Sequence, residues 1–483
     1  MRKAKIVCTI GPASDDLENL DRLIEQGLDA ARLNFSHGTH ASHASAIKTI
    51  REAADRRRAP VAIIQDLQGP RIRVGEVVEG GIVLKEHQSV RLQTVLARSG
   101  GQLGHQSLTP SPIQEIPVTY QHLARDVRPG ARILINDGLI DLKVEQISGG
   151  HLDCKVIIGG TVTSHKGINL PGTRVSAPTL TDKDREDIRF GVTQGVDYVA
   201  LSFVRGPDDI RAAKKLIAAC GGSIPDIAKI ERQEAISCLD AILDEADGVM
   251  IARGDLGVEM GPEAVPLLQK RIIAEANRRR RLVITATQML ESMTQHLRPT
   301  RAEASDVANA VFDGTDAVML SAETAIGAHP VETVQVMDRI IRAAEEGCEP
   351  GVVPKRQSDF GDMTLPEAIC TAASSAASAT KATAIVAFSE LGLTARLISK
   401  QRPAAPIIAF TPFEPVRRQM ALFWGVQPHT MQEIAQTDER VDEAERRLKT
   451  EGLVKSGERI VVLSGTSIGK PGGTNLIKLQ EVE

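Results

Sequence analysis

Apolar residues gather in eight short runs, each ending in polar or ionisable side chains: KIVCTI (5–10), AARLNFS (30–36), VAIIQDL (61–67), VDYVALSFV (196–204), DIAKIE (226–231), GVMIARGD (248–255), LVITATQ (282–288) and AVMLSAE (317–323). Most of the segments between them have the amphipathic spacing of helices. Continuous apolar runs crossed over by helices predict buried parallel strands, and eight such units predict a closed (β/α)8 barrel of the TIM type. In that architecture chemistry gathers at the carboxyl ends of the strands. Those ends carry Arg32, Asn34, Ser36, Asp66, Lys229, Glu231, Arg253, Asp255, Thr287, Ser321 and Glu323, a set suited to anions and metals.

Two departures from the repeat divide the chain. From 70 to 171 the texture changes to alternating runs separated by Gly-Gly and Asp-Gly (EGGIVL, INDGLIDLKVEQISGG, DCKVIIGG), the turn chemistry of hairpins. A small all-β, barrel-like module is therefore expected at the mouth of the main barrel, which keeps 1–69 and 172–345; a module there can serve as a lid against water. Beyond residue 345 the Gly/Pro-rich stretch EEGCEPGVVPKRQSDFGD (345–362) predicts a linker into a C-terminal domain over 346–483. An Ala/Ser-rich helix follows, and strands AIVAFS, PIIAFT and RIVVLSG then alternate with helical TARLISKQR, PVRRQMALFW and DERVDEAERRL. That order is a doubly wound α/β domain, with regulation or oligomer assembly as its expected role. Its last turn, GTSIGKPGGTN (465–475), has the content of a phosphate cradle.

With 483 residues, two or three cores are expected. A net charge of −4 and an aromatic content of 2% argue against a nucleic-acid partner, and RRRR (278–281) reads as a solvated helix end. No apolar run approaches the roughly 18 residues of a membrane span, and the run after Arg2, Lys3 and Lys5 is too short for a signal peptide. Six cysteines without a C-x-x-C pair fit a reducing, cytoplasmic setting. Gly465–Gly469 matches G-x-S-x-G, yet no histidine follows His429, which removes the α/β-hydrolase reading.

Lys229 and Glu231 lie two apart on one strand and share a face. Asp255 follows the next strand. Two carboxylates from adjacent strands, with no His or Cys nearby in sequence, are hard ligands suited to Mg²⁺ or Mn²⁺. A structural ion pair is the competing reading of Lys229 and Glu231; Asp255, Thr287 and Arg32 at matching strand ends weigh against it. Arg32 and Asn34 share a face, with Ser36 and His37 just beyond, while Arg73 and Lys166 stand at the two edges of the inserted module. Arginine forks suit phosphate oxygens, and a lysine is a compact charge that can follow a moving phosphoryl group. Phosphoryl transfer asks for in-line placement, cations on the equatorial oxygens and exclusion of water. This set supplies each.

These residues sit in blocks that resemble the pyruvate kinase family: KIVCTIGPAS (5–14), RLNFSHG (32–38), IAKIE (227–231), MIARGDLGVE (250–259), ATQMLESM (286–293) and RPTRAEASDVANAVFDGTDAVMLSAETA (298–325). The resemblance covers nearly the whole chain. It implies phosphoryl transfer from phosphoenolpyruvate to ADP, giving ATP and pyruvate in the last step of glycolysis, by a homotetramer. It further implies Glu231 and Asp255 as Mg²⁺ ligands, Arg32 on the substrate phosphate, and Gly254, Asp255 and Thr287 at its carboxylate. Lys229 would stabilise the transferring phosphoryl, and Asn34, His37, Arg73 and Lys166 would face the nucleotide. Thr287, with Ser321, would help deliver a proton to the enolate through water. A metal-dependent aldolase or lyase on a similar barrel is the alternative, and it leaves the inserted module unexplained.

Two departures from the family pattern alter what is expected. Many members bind K⁺ through the equivalents of Asn34, Ser36, Asp66 and a following Thr, with a nearby Glu; here Leu67 replaces the Thr and Arg71 the Glu. The Arg71 guanidinium is expected to supply the ion's charge, so K⁺ is expected not to be required. In sugar-bisphosphate-activated members a Ser/Thr-rich loop binds a phosphate; the stretch here is Ser389-Glu390-Leu391-Gly392-Leu393-Thr394. Glu390 disfavours fructose 1,6-bisphosphate. Ser389 and Thr394 leave a phosphorylated effector open, either a sugar monophosphate or a nucleoside monophosphate, alongside a purely assembling role for the domain.

Overall fold

The structure is a computed structural model and describes residues 2–94, 113–347, 363–434, 436–465 and 473–483. All eight runs become strands of one closed parallel barrel: Lys5–Thr9, Ala30–Asn34, Ala62–Asp66, Tyr198–Leu201, Asp226–Ile230, Gly248–Ala252, Leu282–Ala286 and Ala317–Leu320. The first and last strands close the ring, Lys5 opposite Ala317. Alternation along each strand sorts the side chains. Val7, Ile64, Tyr198, Ile227, Met250, Ile284 and Met319 fill the lumen, whereas Ile6, Ile63, Val199, Ala228, Val249, Val283 and Val318 face the helices. Counting by twos from the lumen set reaches Thr9, Arg32, Asn34, Asp66, Ser202, Lys229, Glu231 and Ser321, so the strand period itself aims these groups into the barrel mouth.

The inserted module is a seven-stranded sheet, mostly antiparallel, whose hairpins turn at the predicted glycines: Ile140–Ser148 pairs with His151–Ile158 across Gly149–Gly150, both at positive φ. A bridge between Val74 and Val118 joins its two edges around an apolar core. The module is not wholly β, since it includes the one-turn helix Leu123–Asp126 and a separate ribbon of Ile82–Leu84 with Gly160–Val162.

The C-terminal sheet runs Val426–Thr430, Ile407–Thr411, Ala384–Phe388, Arg459–Gly465, Thr474–Glu481, parallel except for the last strand. Helices cover both faces: Cys370, Leu397 and Met420 pack on one, Val441 and Leu448 on the other. Two strands escaped the sequence pattern, Val426–Thr430, which carries Pro428 and His429, and the antiparallel edge Thr474–Glu481. The domain docks under the barrel, where Leu422 enters the lumen floor and Tyr198 Oη donates to the Gln419 carbonyl at 2.8 Å. Lys400 and Arg402 pair with Asp316 just before the eighth strand. The expected linker beyond residue 347, and the G-x-S-x-G and phosphate-cradle residues 466–472, lie outside the described residues. No helix among the described residues is long and apolar enough to cross a membrane.

Candidate active site

Lys229 is the hub of the barrel mouth. Its Nζ lies 2.9 Å from Glu231 Oε1 and 3.2 Å from Asp66 Oδ1, and donates to Ser202 Oγ at 2.7 Å. Asp66 Oδ2 receives Arg32 Nε at 2.6 Å, and Arg32 Nη1 donates to Thr9 Oγ1 at 2.9 Å. Burial alone would draw the Lys229 ammonium below its ordinary value, but the Asp66 and Glu231 carboxylates outweigh it and hold it above. Burial would likewise raise Asp66, and Lys229 and Arg32 outweigh it, holding that carboxyl below the usual range. Lys229 is therefore a fixed positive charge at neutral pH. It can stabilise anions but cannot act as a base.

Asp255 opens the helix Arg253–Met260 that follows the sixth strand. Its carboxyl is pushed up to about 6, first by burial and then by the Glu231 charge, with Lys229 and Arg71 opposing. Glu231 Oε2 is fixed by the Phe203 amide at 2.9 Å. Two carboxylates close enough for one to raise the other have the donor chemistry for a divalent cation that takes oxygen ligands and completes its shell with water or substrate. Thr287 borders this pair. Its Oγ accepts from the Gly254 amide at 2.9 Å and donates to the Ala286 carbonyl at 2.7 Å. Ser321 Oγ is buried with no hydrogen-bond partner among the described residues, and the fully buried Glu323 takes both the Ser321 and Leu290 amides, tying the last two strand-end loops together.

The proposed nucleotide side is also brought together. Asn34 Oδ1 accepts the Ser36 amide at 3.1 Å. His37 is held below its ordinary value by burial and then by Arg73, Arg71 and Arg32, so guanidiniums from the barrel and from the inserted module reach the same turn. Arg73 pairs in register with Gly167, which sets Lys166 beside it. The residues of the monovalent-cation expectation lie beside this turn. Asn34, Ser36 and Asp66 are adjacent, and Leu67 is buried with its carbonyl taken by Ser202 Oγ at 2.7 Å. Asp66 pairs with Arg32 and Lys229, not with Arg71, which lies exposed beside Gly167 at the mouth of a cleft of about 530 Å³.

In the C-terminal domain Ser389 and Thr394 line a cleft of about 730 Å³ with Phe388, Phe410 and Arg440. Both hydroxyls are engaged: Ser389 Oγ accepts the Thr394 amide at 3.2 Å, and Thr394 Oγ1 lies 2.6 Å from Thr474 Oγ1. Sequence reasoning had not singled out Thr9, Ser202, or Arg253 as the anchor of Thr287. Thr9 and Ser202 share the lumen parity of the charged residues, which was the available signal.

Comparison with known proteins agrees over the whole length. Residues 1–334 match the family described as "Pyruvate kinase, barrel domain" and residues 367–480 "Pyruvate kinase, alpha/beta domain". Among curated proteins, "Pyruvate kinase 2" of Synechocystis sp. is 47% identical over 489 residues, covering 100% of this chain and 80% of that protein. "Pyruvate kinase" of Geobacillus stearothermophilus is 44% identical over 486 residues, with the same coverages. A crystal structure of a pyruvate kinase from Cryptosporidium parvum superposes with a TM-score of 0.89 at 38% identity, covering 100% of this chain and 96% of that one. None of these supports the aldolase reading, and with both domain models and full-length relatives in agreement, the chain belongs to the pyruvate kinase family.

Proposed function

We propose that this barrel mouth transfers the phosphoryl group of phosphoenolpyruvate to ADP, and that the charged Lys229 between Asp66 and Glu231 is the group that makes the transfer fast. The P–O bond to the enol oxygen breaks as one forms to an oxygen of the ADP β-phosphate. Lys229 and Arg32 hold positive charge against the phosphoryl oxygens through that exchange. Glu231 and Asp255 would hold a divalent cation, Mg²⁺ or Mn²⁺, which supplies further positive charge to the substrate oxygens. The Gly254–Asp255 backbone and Thr287 receive the carboxylate end. Asn34, His37, Arg73 and Lys166 receive the nucleotide phosphates. The enolate left behind takes a proton at its methylene carbon to give pyruvate, delivered through water near Thr287 and Ser321.

The same reading assigns 1–69 and 172–345 to the catalytic barrel, 70–171 to the lid and 346–483 to a regulatory and assembling domain of a cytoplasmic homotetramer. K⁺ is not required, because Leu67 has no side-chain oxygen and Arg71 brings positive charge near Asp255. The cleft lined by Ser389 and Thr394 is offered to a phosphorylated effector, a sugar monophosphate or a nucleoside monophosphate, with a purely assembling domain as the alternative.

Pyruvate formation from phosphoenolpyruvate, ADP and Mg²⁺, coupled to NADH oxidation by lactate dehydrogenase, tests the reading directly. No ADP-dependent pyruvate would overturn it. The same assay in Tris buffer should change less than about twofold on adding K⁺, whereas a many-fold rise would remove the K⁺ proposal. Sugar monophosphates and nucleoside monophosphates should raise the melting temperature if the cleft binds them.

A further inference from the structure

The Asn34–His37 turn is gripped from below at two carbonyls by side chains from two different helices. Lys183, in the first turn of Asp182–Gln194, donates from Nζ to the Phe35 carbonyl at 2.7 Å. That ammonium is fixed at 2.6 Å by Asp187 Oδ2, a carboxylate only 1% exposed, whose Oδ1 meets His40 Nε2 at 2.7 Å. His43, in His40–Arg57, bonds through Nε2 to the His37 carbonyl at 2.9 Å. Its ring also stacks on Phe35, centroids 4.0 Å apart and planes 10° apart. Phe35 itself is buried, and its amide donates to the Asp66 carbonyl at 2.9 Å.

The same helical turn reaches the neighbouring loop. Asp184 Oδ1 accepts the Gly69 amide at 3.0 Å, and the Asp187 carbonyl accepts Gln65 Nε2 at 2.7 Å. Neither Lys183 nor His43 is among the groups that ring Lys229. Each instead fixes one carbonyl of the turn from which Asn34, Ser36 and His37 project.

We infer that Lys183 and His43 are positioning residues for the nucleotide: they hold the Asn34–His37 turn in the geometry that receives the ADP phosphates. This rests on the nucleotide assignment of Asn34 and His37 made above. A turn fixed at both carbonyls presents its side chains and amides with little reorganisation, and its freeing weakens binding of the ligand that uses it. The phosphoenolpyruvate side stands on Arg32, Lys229 and Thr287, whose partners are other groups, so the two substrates separate the effect.

The experiment measures KM for each substrate in Lys183→Met, His43→Phe, Lys183→Arg and, as the reference for the nucleotide assignment, His37→Ala. His43→Phe keeps a ring against Phe35 and removes only the donor. Lys183→Met and His43→Phe should each raise KM for ADP by about tenfold, the scale of one lost hydrogen bond of this kind, with KM for phosphoenolpyruvate changed less than about twofold. Lys183→Arg, which can still donate to both Phe35 and Asp187, should recover most of the ADP affinity. If Lys183→Met fails to fold, His43→Phe carries the test alone. A parallel rise in both KM values, or no rise in either, overturns the anchoring role while a raised ADP KM in His37→Ala leaves the nucleotide assignment standing. An unaltered ADP KM in His37→Ala sinks that assignment and the inference together.

Discussion

Arg253 Nη2 donates to the Thr287 carbonyl at 2.7 Å while Thr287 stands at φ +68°. A β-branched residue in the left-handed region is strained and persists only where its surroundings over-determine it. Arg253 does so from one side, itself paired to Asp306 at 2.7 Å, and the Gly254 amide does so from the other by donating to Thr287 Oγ. The strain therefore sets one hydroxyl against the backbone that precedes Asp255. Thr287→Ser keeps that hydroxyl and should retain kcat within about threefold, whereas Thr287→Val orphans the Gly254 amide and should lower kcat by about 10². Steady-state turnover of the two variants checks this, and equal rates would detach the hydroxyl from the chemistry.

Lys229→Met should cost at least about 10²–10³ in kcat, the usual scale for one transition-state charge stabiliser, with a smaller effect on phosphoenolpyruvate binding. A second consequence follows from its partners. Asp66 and Glu231 are each 1% exposed on their side chains, and the variant leaves both with one cation fewer. Its melting temperature without divalent cation should fall, and added Mg²⁺ should restore part of it, because a cation on Glu231 relieves the same imbalance. Normal turnover in Lys229→Met removes the lysine from the mechanism.

The barrel was readable because its strands are buried on both faces and so appear as unbroken apolar runs, and because the period of two then fixes which residues enter the lumen. Thr9 and Ser202 obeyed the same rule but carry no charge, so nothing in their chemistry raised them above ordinary strand-end hydroxyls. Lys183 was invisible for another reason: its bond to the Phe35 carbonyl spans 148 positions and exists only once the barrel closes. Thr287 and Phe203, at φ +68° and +56°, take conformations that glycine would signal and these residues conceal. The ion pairs of Asp66 with Arg32 and Lys229 join three different strands, so no single run announces them.

Leu422 lay within the run PVRRQMALFW, which predicted a helix; the helix ends at Met420 and Leu422 closes the barrel floor. It is 0% exposed, among lumen residues contributed by the strands. Removing a fully buried leucine costs about 2–5 kcal/mol. Leu422→Ala should therefore lower the melting temperature by several degrees, while Leu391→Ala, at 62% exposure on the same domain, should leave it almost unmoved. Equal small shifts would mean that the floor repacks without the plug.

Asp226 and Asp247 face each other at the start of the fifth and sixth strands, far from the mouth. Each amide donates to the other's carboxylate, at 3.3 and 3.4 Å, and Lys214 Nζ lies 3.2 and 3.1 Å from the pair. Burial, then the Asp247 charge, pushes the Asp226 carboxyl up to about 7 against the opposition of Lys214. In the unfolded chain an aspartate loses its proton near about pH 3.9. Between that value and 7 the native state holds the extra proton, so this group's contribution to stability is present in acid and is lost as pH rises through the interval. Asp226→Asn cannot ionise and keeps the Oδ1 acceptor. Its melting temperature relative to the parent chain should therefore improve between pH 5 and pH 8. A difference that is constant across that range, or that shrinks, would mean that Asp226 is already ionised at pH 5 and that Lys214 outweighs its burial.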